Sequence, residues 1–342
     1  MPSYSASPAP AHSARPLADH PAATVTVLGL GPMGRALAGA FVDAGLRTTV
    51  WNRTPGRDRE LLDRGAVGAA SVAEAVAASE VTVVCLVNYD AADAVLRQDE
   101  VEAALKGRTV VNLTADTPAR ARDTAAWAAA HGVRYLDGAI MTPTTTIGTP
   151  DAVFLYSGPE DLYRELVPVR EALGGTHTHL GEETGRAAAY DIALLDIFWT
   201  AMAGYAHAVA VARAEGVTAT ELASFAQGIG AILPPLFAES AVDADDGAYS
   251  GEGNPLTSAV SSMSHIVHVS ESHGIDAGVM RAAEGMARRA IGLGHGQDGF
   301  IRVAEVIGRR RGQPAPLGRL RGESRGHRPP SMRRGSIVVR GR

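Results

Sequence analysis

Among 342 residues there is one cysteine, Cys85, and one lysine, Lys106. A lone thiol cannot close a disulfide within the chain, which suits a reducing, cytoplasmic setting. Cys85 lies in the apolar run Val81-Thr82-Val83-Val84-Cys85-Leu86, which reads as a buried strand, so its thiol is expected to act as a small hydrophobe and not as a nucleophile. Residues 1–22, rich in Ala, Ser and Pro, hold no apolar run long enough for a signal-peptide core or a membrane span, and read as a disordered extension. Residues 309–342 hold eleven arginines against one acid, Glu323, a local charge of +10 in a chain of −5. With no aromatic side chain for base stacking and no periodicity, they read as a disordered basic tail without a nucleic-acid or membrane partner. His265, His268 and His273 lack a carboxylate or thiol at a ligand spacing, so no metal is expected.

Glycine, by contrast, is plentiful, with 38 residues, and one group of three carries chemistry. The apolar run Val25 to Leu28 feeds Gly29-Leu30-Gly31-Pro32-Met33-Gly34, a G-x-G-x-x-G turn, followed by helix formers up to Gly45. Gly29 allows the tight strand-to-helix turn, Gly31 the approach of a pyrophosphate, and Gly34 close packing of helix on strand. The unpaired N–H groups of the helix N-terminus then face the anion.

After the second strand, Thr48 to Trp51, an NAD site carries an acid for the ribose 2′-hydroxyl. This chain reads Asn52-Arg53-Thr54-Pro55-Gly56-Arg57, with no carboxylate before Asp58. Arg53 offers forked hydrogen bonds to a 2′-phosphate, Asn52 and Thr54 add neutral donors, and Arg57 adds positive charge, so the expected cofactor is NADPH/NADP+.

Apolar strand candidates at Val25–Leu28, Thr48–Trp51, Val81–Leu86, Thr109–Asn112, Tyr135–Ile140 and Ala152–Tyr156 alternate with Ala-rich helical stretches. That alternation predicts an α/β fold with a parallel sheet covered by helices on both faces. From Arg186 to Ala214 the chain is helix-compatible without a break, and the rest to Gly308 reads helical. The expected division is a dinucleotide-binding domain over 23–181, an interdomain helix over 182–214 and an all-helical domain over 215–308. A helix of that length exceeds what one small domain covers, so it is expected to pack against another subunit.

These motifs, with Val110-Val111-Asn112-Leu113-Thr114, Tyr135-Leu136-Asp137-Gly138-Ala139-Ile140 and Ala189-Tyr190-Asp191-Ile192-Ala193-Leu194-Leu195, resemble the β-hydroxyacid dehydrogenase superfamily, and within it the imine reductases most. The resemblance covers roughly Thr24 to Ile307. It implies an N-terminal Rossmann domain, a long interdomain helix and a 6-phosphogluconate dehydrogenase-like helical domain exchanged in a homodimer, with the active site formed across the two protomers. It also implies that Leu30, Pro32, Met33, Leu86, Val87, Asn112 and Thr114 join the three glycines at the cofactor.

In the hydroxyacid dehydrogenases, a G-x-x-x-x-x-K-x-x-x-N pattern at the start of the long helix supplies a catalytic Lys. Counted from Gly185, this chain has Asp191 at that Lys and Leu195 at that Asn, while Lys106 sits in a surface-type turn. Met141-Thr142-Pro143-Thr144 replaces the usual carboxylate-binding Ser-Gly-Gly loop. Alcohol chemistry thereby loses its proton donor. A carboxylate beside a cationic iminium carbon attracts it where a Lys repels it, and apolar surroundings raise the Asp pKa toward proton donation. The resemblance carries Asp191 over as proton donor or cation anchor, and associates Asp at this position with R-type enzymes.

Leu195 and Trp199 follow Asp191 at four and eight positions, on its helical face, and with Tyr190, Tyr249 and His268 are the candidate substrate-pocket residues. Asp196 points elsewhere. The expected activity is NADPH-dependent reduction of C=N bonds in cyclic imines or iminium ions, with reductive amination as an extension. Two alternatives remain open at this point. One is an NADPH-dependent 3-hydroxyacid or carbonyl reductase with Asp191 or Tyr190 as acid, supported by turnover of 3-hydroxy acids. The other is a non-catalytic NADPH-binding protein, supported by tight cofactor binding without turnover.

Overall fold

The computed structural model describes residues 23–308; the expectations for residues 1–22 and 309–342 lie outside the described residues. Eight strands, β1 (Thr24–Leu28), β2 (Arg47–Trp51), β3 (Val67–Gly68), β4 (Val81–Val84), β5 (Thr109–Asn112), β6 (Arg134–Ile140), β7 (Val153–Ser157) and β8 (Thr176–His179), form one sheet. Their order is β3-β2-β1-β4-β5-β6-β7-β8. The chain leaves β1 to one side for β2 and returns to the other for β4. Such a switch opens a crevice beyond the carboxyl ends of β1 and β4.

The strands through β6 are parallel, but β7 runs antiparallel to β6, with Asp137 opposite Ser157 and Ile140 opposite Phe154, and β8 runs parallel to β7. The strand expected at Ala152–Tyr156 thus joins the parallel sheet in the reverse direction. A parallel crossover needs a helix-sized connection, and the link from Ile140 to Val153 carries Pro143, Gly148, Pro150 and a single 3-10 turn, Thr144–Thr146. Val25, Val27, Leu37, Phe41 and Phe154 fill the core on one face of the sheet, and Leu28, Val84, Leu96, Val101 and Leu105 fill it on the other.

Helix α1 (Pro32–Asp43) follows β1 through the Gly-rich turn, with Pro32 in its first turn, where a missing N–H costs nothing. It buries Leu37, Ala38 and Phe41 against the sheet and ends at Gly45, in the left-handed region at φ 80°. Helix α2 (Arg186–Ala214) is 29 residues long and buries only Ala187, Ala188 and Asp191, all in its first two turns.

The chain divides into two compact units between Met202 and Ala203, within α2. The second unit is helical: α3 (Ala219–Asp246), α4 (Leu256–Ser272) and α5 (Gly278–Ala290) lead to a short final helix, Val303–Gly308. Thr218 and Glu221 close a reciprocal capping box at the start of α3, and Gly247 ends it in the left-handed conformation. Leu256, Val260, Ala287, Ala290, Val303 and Val306 form this unit's core. By length and composition α2 and α3 are apolar enough to cross a membrane, and the most apolar stretch of each is unburied within the single chain.

Candidate functional site

The turn after β1 is built by backbone restrictions. Gly29 sits at φ 101°, and a Cβ there would lie 2.2 Å from the Cys85 carbonyl oxygen. Gly34 lets α1 close on the turn, since a Cβ there would lie 1.9 Å from the Gly29 carbonyl oxygen. At Gly31 a Cβ would meet nothing within 4 Å, so this peptide faces open space. The result is a cleft of about 480 Å³ at the carboxyl ends of β1, β2 and β4. Gly29, Gly31, Pro32, Met33 and Gly34 form one wall, Asn52, Arg53, Thr54 and Arg57 a second, and Leu86 and Val87 a third, with Cys85 at the base. Open N–H groups at a helix N-terminus and two exposed arginines beside them suit a dinucleotide with a further phosphate, so the residues present fit NADP(H).

Three of the residues assigned to the cofactor support the cleft instead of lining it. Leu30 is fully buried; its N–H donates to Asn52 Oδ1 at 2.9 Å, and its carbonyl accepts from Arg35 at 3.0 Å. Asn112 and Thr114 are buried under the third wall: the Thr114 N–H donates to Asn112 Oδ1, and Thr114 Oγ1 accepts from the Leu86 N–H at 3.1 Å. Asn52 spends its amide holding the second-strand loop to the glycine turn, with Nδ2 donating to the Thr54 carbonyl. Arg53 and Arg57 have no ion pair or hydrogen bond among the described residues, so both guanidiniums are free for a ligand. Burial pushes the Cys85 thiol up to about 12, which keeps it protonated and inert although it borders the cleft.

Asp191 is 4% exposed, and among the described residues no donor or cation reaches its carboxylate. Desolvation alone raises its pKa above the usual carboxylate value. Its helical neighbours differ: Leu195 is half-buried, while Tyr190 and Trp199 are exposed. Asp196 is exposed and accepts from Thr200. In the helical unit the Tyr249 hydroxyl donates to Glu305, and the Arg302 guanidinium lies 4.5 Å from the ring centre, so this tyrosine is engaged locally. His268 is exposed on α4. Among the described residues no group of side chains is arranged to hold a metal.

Sequence reasoning passed over one buried polar assembly. Asp137, in the middle of β6, is 1% exposed; Tyr89 donates to its Oδ1 at 3.0 Å and Ser157 to its Oδ2 at 3.3 Å, and the Tyr135 hydroxyl lies 3.2 Å from that of Tyr89. The available signal was a carboxylate inside an apolar strand, Tyr135-Leu136-Asp137-Gly138-Ala139. Burial pushes Asp137 up to about 6, against the downward pull of Tyr89, the Ala188 N–H, Ser157 and the Gly185 N–H. A carboxyl group raised in the folded state contributes stability through its neutral form, fully present below its usual value of 3.8 and lost as pH rises through about 6. The difference is on the order of 3 kcal/mol. Asp137→Asn removes it, so the Tm of the variant relative to the original chain improves between pH 4 and pH 7.5; a Tm difference that does not change over that interval contradicts the assignment.

Residues 24–181 match the NAD binding domain of 6-phosphogluconate dehydrogenase, and residues 183–309 match the C-terminal domain of NADPH-dependent reductive aminase-like proteins. An NADPH-dependent reductive aminase from Aspergillus oryzae is 32% identical over 83% of this chain and 96% of its own length. Among solved structures, an imine reductase from Myxococcus stipitatus in complex with NADP+ is 36% identical, with a TM-score of 0.80 over 83% of this chain and 99% of its own. A reductive aminase from Aspergillus terreus, in complex with NADPH4, cyclohexanone and allyl amine, is 34% identical, with a TM-score of 0.77 over 84% of this chain and 100% of its own.

Proposed function

The chain belongs to the NADPH-dependent imine reductases and reductive aminases, and from that membership we infer which of its groups carry the reaction. The activity is NADPH-dependent reduction of a C=N bond in a small-molecule substrate. NADPH, when bound, supplies a hydride to the imine carbon, and the nitrogen takes a proton, giving amine and NADP+. The 3-hydroxyacid or carbonyl reductase and the non-catalytic NADPH-binding alternatives are not favoured.

One observation carries the assignment of Asp191: a buried carboxylate without a partner, at the position of the catalytic Lys in the alcohol-oxidising relatives. In a desolvated site an unpaired carboxylate attracts an iminium cation strongly, and in its neutral form it holds the proton that the nitrogen needs. Leu195 and Trp199 share its helical face and supply apolar surface for a cyclic imine; Tyr190 flanks them, and Tyr249 and His268 are candidate pocket residues on the helical unit. The glycine turn holds the pyrophosphate, and Arg53 and Arg57 hold the 2′-phosphate. Leu30, Asn112 and Thr114 act from beneath, by fixing the walls. The exposed side chains Ile197, Phe198, Phe225, Ile229 and Phe237 along α2 and α3 support a homodimer, because a second copy removes this apolar surface from water. A single-chain mass in solution contradicts that. The single unpaired cysteine supports a cytoplasmic location.

The test is NADPH oxidation with a simple cyclic imine, 2-methyl-1-pyrroline, beside NADH and beside a ketone without amine. Imine-dependent turnover that prefers NADPH is the expected result. Turnover of the ketone alone, or reduction of NADP+ by a 3-hydroxy acid, with no turnover of the imine, contradicts the reading.

A further inference from the structure

We propose that Asp137 is a positioning residue for C=N reduction: acting through Ser157, it fixes the first turn of α2 and with it the place of Asp191. The inference rests on the reading of Asp191 as the group that meets the substrate nitrogen.

The first four N–H groups of a helix have no partner within it. In α2 one of them, that of Ala187, donates to Ser157 Oγ at 3.0 Å. Ser157 is fully buried on β7, directly opposite Asp137 in the antiparallel register, and its hydroxyl proton goes to Asp137 Oδ2. By taking the serine's proton, the carboxylate fixes the rotation of the hydroxyl and turns a lone pair toward the Ala187 N–H. Asp137 also gains from the N–H groups of Ala188 and Gly185, as expected for an anion at a helix N-terminus.

The same turn is held from two further sides. Tyr89, which gives its hydroxyl proton to Asp137, packs on Ala188 and Ala121 in a small buried cluster, and its own N–H donates to Asp116. At Gly185, in the left-handed region at φ 92°, a Cβ would come within 2.7 Å of the Pro118 carbonyl oxygen. Ala187 and Asp191 are one helical turn apart, and with Ala188 they are the only buried residues of α2. Within the first unit no residue of α2 beyond these two turns is fully buried, so the direction in which Asp191 faces is set where Ser157, Asp137 and Tyr89 grip the helix. The influence runs through the hydrogen bonds of the turn, while burial is what raises the Asp191 pKa.

The test is a double-mutant cycle in the full-length protein, with imine turnover at saturating NADPH and NADPH affinity measured separately. Asp137→Asn keeps the side-chain shape and removes the charge, and Ser157→Ala removes the bridge without touching the carboxylate. Each lowers kcat by about 10- to 100-fold, the scale of a displacement of about 1 Å at a reacting group, and each leaves the NADPH Kd within about twofold. In an Asp191→Asn background the same substitutions cost less than about twofold more, because the group they position is already lost. Equal losses in both backgrounds, or an unchanged kcat in both single variants, overturn the proposal while leaving the Asp191 reading intact. If Asp191→Asn itself keeps the original rate, that reading fails, and this one with it. Should Asp137→Asn not fold, Ser157→Ala and Tyr89→Phe carry the same comparison.

Discussion

Asp191→Ala is expected to lower kcat for imine reduction by about 10²- to 10⁴-fold, the range associated with a positioned acid–base group, while the NADPH Kd changes by no more than about twofold. The expectation follows from the side chain's isolation. A carboxylate that is 4% exposed and has no donor among the described residues pays desolvation without compensation in the free chain. A cationic substrate supplies that compensation. Asp191→Asn separates charge from size: the amide fills the same space but neither anchors a cation nor delivers a proton. The pH dependence then distinguishes the two roles, given the upward shift of the group. A proton donor must be neutral, so the rate falls as pH rises through the pKa of Asp191; a cation anchor must be ionised, so the rate falls as pH drops through it. A wild-type rate in Asp191→Asn removes both roles.

The second large effect is expected at the other end of the cofactor. Arg53→Ala weakens NADPH binding by about 10- to 100-fold, the equivalent of one or two hydrogen bonds to a charged group, and weakens NADH binding by less than about threefold. Arg53 lines the cleft and has no competing partner. It is also exposed, so the effect shrinks as ionic strength rises. Titration of each cofactor against the protein, followed by nicotinamide fluorescence, reads the two constants directly. An equal loss for NADPH and NADH contradicts the contact with the 2′-phosphate.

How far the sequence reached differs from element to element. The glycine turn was legible because its constraints are local: a left-handed Gly29 and the close approach at Gly34 leave little else for those positions. The missing acid after β2 was legible for the same reason. β8 was not, because Thr-His-Thr-His alternates without an apolar residue and lies at the sheet edge, where burial places little demand on composition. β3, two exposed residues long, carries no pattern at all. The reversal at β7 was in principle readable from Pro143, Gly148 and Pro150, which leave no room for a crossover helix. Leu30, Asn112 and Thr114 were placed at the cofactor by resemblance, whereas the structure has them supporting the cleft walls; motif membership does not distinguish lining from support. The role of Asp137 depends on Tyr89, Ser157 and Ala187, which the fold brings together from distant parts of the chain, and no spacing rule joins them.

The measurement that tests the central claim most directly is the fate of a label. NADPH carrying deuterium at both hydrogens of nicotinamide C4 is oxidised with an excess of 2-methyl-1-pyrroline, and the amine is examined by mass spectrometry and NMR. The account predicts one deuterium in the product, on the carbon that was double-bonded to nitrogen, formed in step with NADP+. NADPH consumed without label in the amine, or label transferred only to a hydroxyl-bearing carbon of an added ketone, contradicts it.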